Sequence, residues 1–408
     1  MQTNLIDLYK HTAEGQEAEA ILRTCVHCGF CTATCPTYQL LGNELDSPRG
    51  RIYLIKEMLE GEAVSAKTQL HLDRCLSCLS CETICPSGVK YGRLLDIGSA
   101  IVEQQIGRSL WQGAQRWLLR NVLARTTLFN CLLWLGRLLR PLLPVFIART
   151  IPVARAAKPR PGTRHSRSML VLEGCVQPGL APATNAAAAR VLDRLGITLL
   201  SAAQAGCCGA LSYHLNAHAD GLAYMRRNID AWWPYIEQGA EALVMTASGC
   251  GVMVKEYGHL LRHDRDYAGR AEKISSLTRD LGEILAAEQA VLLPLLAPAA
   301  RGKVAFHSPC TLQHGQKIVG VIETLLGEAG YELTPVADQH LCCGSAGTYS
   351  ILQKELSQQL LRNKLAALHS GKPAQIVSAN IGCQSHLQSG TDLPVRHWIE
   401  LMDDALGN

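Results

Sequence analysis

One pattern constrains this chain more than any other. Cys-x2-Cys-x2-Cys-x3-Cys-Pro occurs twice, as Cys25, Cys28, Cys31, Cys35, Pro36 and as Cys75, Cys78, Cys81, Cys85, Pro86. Three cysteines at three-residue spacing can wrap one cube of iron and sulfide, and the Pro-tailed fourth is directed to the neighbouring cluster in two-cluster proteins. The spacing therefore assigns Cys25, Cys28, Cys31 and Cys85 to one [4Fe–4S] cluster, and Cys75, Cys78, Cys81 and Cys35 to the other. Zinc sites need two cysteine pairs per ion and fit a triple plus a fourth poorly. His27, inside the first motif, is surplus to a complete ligand set. Ser47 and Pro48 read as an N-cap and first helical residue, opening a helix to about Glu60. Arg49 and Arg51 on that helix either stabilise reduced clusters by charge or are ordinary solvated arginines.

The chain holds 17 cysteines in 408 residues, an odd count in a large protein, which argues against a secreted disulfide scaffold. It begins MQTNLIDLYK, without an apolar signal core, so a reducing, cytoplasmic compartment is expected. Apolar residues at 48% and charged residues at 18% place it among globular proteins, and its length calls for more than one domain. Net charge is +4, yet no acidic residue lies between Glu103 and Glu173, where twelve Lys/Arg fall. That leaves 27 basic against 35 acidic residues elsewhere, so one basic belt sits on an otherwise acidic protein. The longest uncharged apolar run there, Thr126 to Gly136, is too short to span a bilayer. Its arginines, interleaved with Trp, Leu and Phe from Trp111 to Ile147, suit either a membrane surface or a partner subunit, with packing between domains as the plainer reading. Pro141 and Pro144 end the last helix, and an extended Pro/Arg-rich linker follows.

Beyond residue 168 the chain repeats itself. Cys175, Cys207, Cys208 and Cys250 match Cys310, Cys342, Cys343 and Cys383 at offsets of 135, 135, 135 and 133. Each half runs strand, cysteine, helix closed by Gly, strand, Cys-Cys-Gly, helix, then a strand entering a Gly-Cys turn. Such alternation predicts parallel α/β units with the cysteines past the strand ends at one sheet edge. Vicinal thiolates on a Gly-relaxed turn suit a metal, so these eight cysteines are candidate ligands of a further iron–sulfur or zinc centre. Reduced, buried core cysteines are the alternative. His386, three residues after Cys383, is a candidate ligand or neighbour, while His214, His218, His307, His314 and His340 are individually weaker.

The expected fold is therefore α+β and multidomain. Residues 1–105 form a mainly helical ferredoxin-type domain with two [4Fe–4S] clusters, and 106–168 a basic amphipathic segment and linker. Tandem α/β Cys-Cys-Gly repeats occupy 169–300 and 301–408. No dinucleotide fingerprint, Walker sequence, catalytic triad or nucleic-acid module is present, and GSAGTY at Gly344 fits none. Hydride chemistry is thus expected on another chain, with this one carrying single electrons.

These features resemble iron–sulfur subunits of flavin-dependent 2-hydroxyacid and glycerol-phosphate dehydrogenases, and the Cys-Cys-Gly subunit of heterodisulfide reductases. CVHCGFCTATCPTYQLLG, SPRGRIYLIK, AGCCGALSYHLNA, NIDAWWP, TASGCG, HLCCGSAGTY and VRHWIEL, spread from end to end, are similar to the bacterial glycolate oxidase (glycolate dehydrogenase) iron–sulfur subunit family. That resemblance implies flavin-binding partner subunits carrying FAD, glycolate oxidation there, and electron delivery to a quinone or other membrane acceptor. It also implies a peripheral position on the cytoplasmic face of the inner membrane. D-lactate or glycerol-3-phosphate dehydrogenase subunits are alternatives. In heterodisulfide-type halves the last cysteine belongs to a Cys-x-x-Cys; here Met253 and His386 take the second position, which argues against disulfide reduction.

Overall fold

The structure is a computed structural model that describes residues 1–144, 151–153, 156–296 and 299–407. Two compact units account for it: residues 1–116 with 338–364, and residues 117–337 with 365–408.

The first unit is helical. Its elements are α1 (Ala13–Thr24), α2 (Phe30–Ala33), α3 (Pro36–Leu41), α4 (Pro48–Leu59), α5 (Ala66–Asp73), α6 (Ser80–Thr83) and α7 (Tyr91–Ile106). Caps written in the sequence set the starts. Thr12 accepts from Gly15 N at 3.0 Å, Ser47 accepts from Gly50 N at 3.0 Å, and Ser65 forms a capping box with Thr68. Apolar residues at helical spacing, among them Leu22, Ile55, Leu59 and Leu94, meet in one core that Cys25 and Cys81 join. Part of the basic belt serves this unit: Arg108 bridges Asp73 (2.6 Å) and Glu103 (2.6 Å), and Arg116 reaches Asp73 at 3.1 Å.

Helices α8 (Leu110–Leu123) and α9 (Thr126–Leu139) meet at 95°, and Pro141 sits in the short turn that ends α9. Among the described residues no single helix is long and apolar enough to cross a membrane. Arg149 and Arg155 of the belt lie outside the described residues.

The second unit holds two four-stranded parallel sheets. The first runs β2 (Ile197–Ser201), β1 (Arg167–Val171), β3 (Leu243–Met245), β4 (Thr278–Asp280). The second repeats this order with β6 (Glu332–Leu333), β5 (Lys303–His307), β7 (Gln375–Ser378) and β8 (Val395–His397). Alternation along β1 splits it between two layers: Met169 and Val171 face one core, Leu170 and Leu172 the other. The first of these cores is common to both repeats, since Val304, Phe306, Val377 and Trp398 join it. The parallel α/β repeats expected from the sequence are present, and helices α10 (Pro182–Arg194) and α14 (Val321–Glu328) fall on the expected segments. The edge strands β4 and β8 were not foreseen. Each is three residues long with a central arginine, and so lacks an apolar run. Cys250 and Cys383 also differ from expectation: rather than sitting in turns, they lie in the first turns of α12 (Ser248–Lys255) and α16 (Ile381–Gln388).

Candidate iron–sulfur centres

Local backbone shapes both cysteine motifs alike. His27 and Gly29 in the first have φ of 57° and 86°, and Ser77 and Leu79 at the matching places in the second have 49° and 60°. Each left-handed residue turns the chain so that successive cysteines face one point, and non-glycine residues held there store strain of about 1 kcal/mol or more. Cys35 then precedes Pro36, the first residue of α3, which sends it away from its own triple.

Two cavities result. One is lined by Cys25, Cys28, Cys31 and Cys85, with His27, Phe30 and Arg49. The other is lined by Cys35, Cys75, Cys78 and Cys81, with Thr37, Arg51 and Tyr91. In each, the Pro-tailed cysteine comes from the opposite motif. Cys81, Pro48 and Tyr91 line both, so a shared wall separates two adjacent sites. The chemistry of this donor set fits four-iron clusters. Burial and neighbouring thiolates push the Cys31 thiol up to about 11 and Cys81 well above its ordinary value, so both need a cationic centre to ionise.

The second cavity is backed by a buried polar network that sequence reasoning missed. Arg51 donates from Nε to the His71 carbonyl at 2.7 Å and from Nη2 to Thr37 Oγ1 at 3.1 Å. Asp46, fully buried, is 3.6 Å from Arg51, 3.0 Å from His71 Nδ1 and 3.0 Å from Arg74. Thr37 Oγ1 stands 3.2 Å from Cys35 Sγ, and the Tyr91 hydroxyl donates to Cys75 Sγ at 3.5 Å. The two arginines left undecided by the sequence thus divide. Arg51 is 1% exposed, whereas Arg49 reaches outward to Glu44 at 2.8 Å. From the same unit, Tyr349 donates its hydroxyl to the Arg74 carbonyl at 3.2 Å, so chain from the second repeat joins this network.

In the first repeat Cys175, Cys207, Cys208 and Cys250 come together. Cys207 accepts from the thiols of Cys175 and Cys208, which holds it well below its ordinary range, and Cys208 also bonds Cys250. Cys175 and Cys208 are pushed well above theirs, chiefly by those hydrogen bonds and by burial. Asn228 donates to the Cys207 carbonyl at 2.8 Å and Tyr257 to the Cys208 carbonyl at 2.7 Å, bracing the vicinal pair. Gly209 is required here: φ is +90° and a Cβ would stand 2.8 Å from the Gly221 carbonyl oxygen. Gly344 repeats this, at φ +88° with the Ser357 carbonyl oxygen 2.6 Å from a Cβ.

The second repeat is divided differently. Cys342 and Cys343 belong to the first compact unit, Cys310 and Cys383 to the second. Cys342 Sγ accepts from Gly344 N at 3.4 Å, and Cys383 Sγ from Asn380 Nδ2 at 3.5 Å. The ring of His307 at the end of β5 comes within 4.8 Å of the Cys383 thiol. His386 is buried in α16, and His218 stacks on Tyr213 at 4.2 Å.

A helical unit with two crossed four-cysteine cavities, joined to duplicated cysteine-bearing parallel sheets, defines an electron-transferring iron–sulfur protein with two [4Fe–4S] clusters. Family models agree: a 4Fe-4S dicluster domain matches residues 21–89, and a cysteine-rich domain matches 169–255 and 304–388. The chain is 58% identical to the glycolate oxidase iron-sulfur subunit of Escherichia coli (strain K12), across 100% of this chain and 99% of that protein. It is 28% identical to the probable glycolate oxidase iron-sulfur subunit of Bacillus subtilis (strain 168), covering 92% and 90%. Lactate utilization protein A of Anoxybacillus flavithermus matches 53% of the chain at 25% identity. The chain belongs to the family of glycolate oxidase iron–sulfur subunits.

Proposed function

We propose that this chain is the electron-transfer subunit of a complex that oxidises glycolate to glyoxylate on FAD held by partner subunits. Glycolate loses two electrons and two protons there, and the electrons leave singly through this chain to a membrane quinone. The complex works peripherally on the cytoplasmic face of the inner membrane. Cys25, Cys28, Cys31 and Cys85 hold one cluster, and Cys35, Cys75, Cys78 and Cys81 the other. When bound, these clusters supply one-electron redox capacity that no side chain here has. Pro48, Cys81 and Tyr91 hold the two sites side by side, while Arg51 and Tyr91 keep the second one dry and place positive charge and a donor beside its thiolates. The crossed pairing of the Pro-tailed cysteines about that shared wall carries this reading.

In the first repeat, Cys175, Cys207, Cys208 and Cys250 hold a further metal, as iron–sulfur or zinc. Elemental analysis of wild type against Cys208→Ser separates the two. In the second repeat, Cys310, Cys342, Cys343 and Cys383 remain candidate ligands of the same kind. For the main reading, Cys28→Ser in the assembled complex is expected to abolish quinone-linked turnover while glycolate still reduces the flavin in a single turnover. Loss of flavin reduction would contradict a relay, and glycolate turnover by this chain alone would place the chemistry on it.

A further inference from the structure

Within the second unit a cavity of about 300 Å³ opens between the end of α8, the α8–α9 corner and helix α11 (His218–Glu237). Arg120, Arg125 and Arg227 line it, with Asn121 and Tyr224, against one acid, Asp220. Arg120 meets Asp220 at 3.4 Å, but that carboxylate is 63% exposed, and Arg120 Nε is buried without a hydrogen-bond partner. Arg125 bonds the Tyr224 hydroxyl, and the Arg227 guanidinium lies over the Tyr224 ring at 4.9 Å. Three guanidinium groups, two of them held by the Tyr224 side chain, with one solvated acid among them, leave a net charge of +2 facing a cavity. Planar forks of this kind recognise phosphate by paired N–H donors.

The same helices present apolar surface. Asn121 Nδ2 is tied to the Trp117 carbonyl at 2.9 Å, and Trp117 and Leu118, one turn before Arg120 and Asn121, are 58% and 55% exposed. On α9, Leu128, Leu132, Leu135 and Leu139 recur at helical spacing and are all exposed, with Trp134 at 65%. Arginines at one level and Trp and Leu beside them match the chemistry of an anionic bilayer surface. A second protein would cover such a face with acidic groups as well, but it would not call for a phosphate-sized basic cavity next to it.

We propose, on the membrane reading above, that this cavity seats the phosphate of an anionic phospholipid while the apolar faces of α8 and α9 enter the adjoining acyl layer. The lipid then orients the complex at the bilayer where its acceptor dissolves.

The test uses the assembled complex, vesicles of phosphatidylglycerol or phosphatidylcholine, soluble dihexanoyl phosphatidylglycerol and inorganic phosphate. Wild type is expected to bind phosphatidylglycerol vesicles over phosphatidylcholine, and to bind the soluble lipid saturably with a change in tryptophan fluorescence. Arg120→Gln/Arg125→Gln should weaken vesicle binding by about twenty-five-fold or more, two charges at about fivefold each setting the floor, and abolish binding of the soluble lipid. Arg140→Gln/Arg164→Gln removes the same charge outside the cavity and should leave the soluble lipid bound. Iron content checks that each variant is intact. If Arg120→Gln/Arg125→Gln binds both lipid forms like wild type, the cavity is not a headgroup site, although the membrane reading stands. If wild type ignores vesicles, both fail. Inorganic phosphate binding as tightly as the lipid assigns the cavity to a free anion, and hydrogen-exchange protection of α8 and α9 by the flavin subunits assigns the face to protein; either overturns the proposal.

Discussion

The two cysteine cavities are copies in sequence and opposites in surroundings. The first has an exposed rim, with Cys28 exposed and Val26 and Phe30 at 67% and 59% exposure around it. The second is backed by buried charged side chains, Arg51 and Asp46 at 1% and 0% exposure. An exposed rim suits the exchange of electrons with a partner. A fixed cation beside a cluster site favours the more negative, reduced state, so the second cluster is expected to have the higher potential of the two.

Arg51→Leu should break this contrast most. It strips Asp46 of one of its two arginine partners in a buried network, at a cost of about 3–5 kcal/mol. It should also lower the second cluster's potential by on the order of 100 mV, read by EPR-monitored redox titration. An unchanged potential with both clusters present would refute the assignment.

Acid should separate the two units next. His397 is fully buried, donates from Nε2 to the Thr246 carbonyl at 2.8 Å and accepts from Ile399 N, and burial pushes it down to about 4. The unfolded chain takes up a proton near pH 6.5 that the folded one refuses. Stability of the second unit is therefore complete above pH 6.5 and falls as pH drops toward 4, by about 2 kcal/mol between pH 7.5 and 5. Thermal unfolding of His397→Gln across that range should show a flatter dependence.

A smaller effect separates the motifs themselves. Gly29→Ala places a Cβ 2.9 Å from Arg49 Nη1 at φ +86°, and should cost about 1–2 kcal/mol in thermal unfolding. Leu79→Gly at the matching position should be close to neutral, since relief of strain offsets lost packing on Gly92. The smallest effect belongs to Arg49→Gln. Its partly exposed pair with Glu44 contributes about 0.5 kcal/mol or less, and the first cluster's potential should move far less than the second's does on loss of Arg51.

The parallel sheets and the repeat were legible because they rest on local pattern: apolar strands, Gly-closed helices and a cysteine offset of 135 held three times. The edge strands β4 and β8 were not, because three residues with a central arginine carry no periodicity. Of the candidate sites, the cysteines were legible and their surroundings were not. Nothing near Asp46 or His71 in sequence marks them as neighbours of a cluster, and the basic belt gave no sign that Arg108 and Arg116 pair within the first unit while Arg120 and Arg125 face a cavity.

Sequence alone determined which cysteines can share an iron cube, because a seven-residue loop converges only the thiols its spacing allows, and a following proline turns the fourth away. Tertiary structure alone decided that Arg51 is sealed and Arg49 wet, two residues apart on one helix. Burial depends on what packs around a side chain, and the network about Arg51 and Asp46 extends through Arg74 to Tyr349, 275 positions along the chain from the carbonyl it meets.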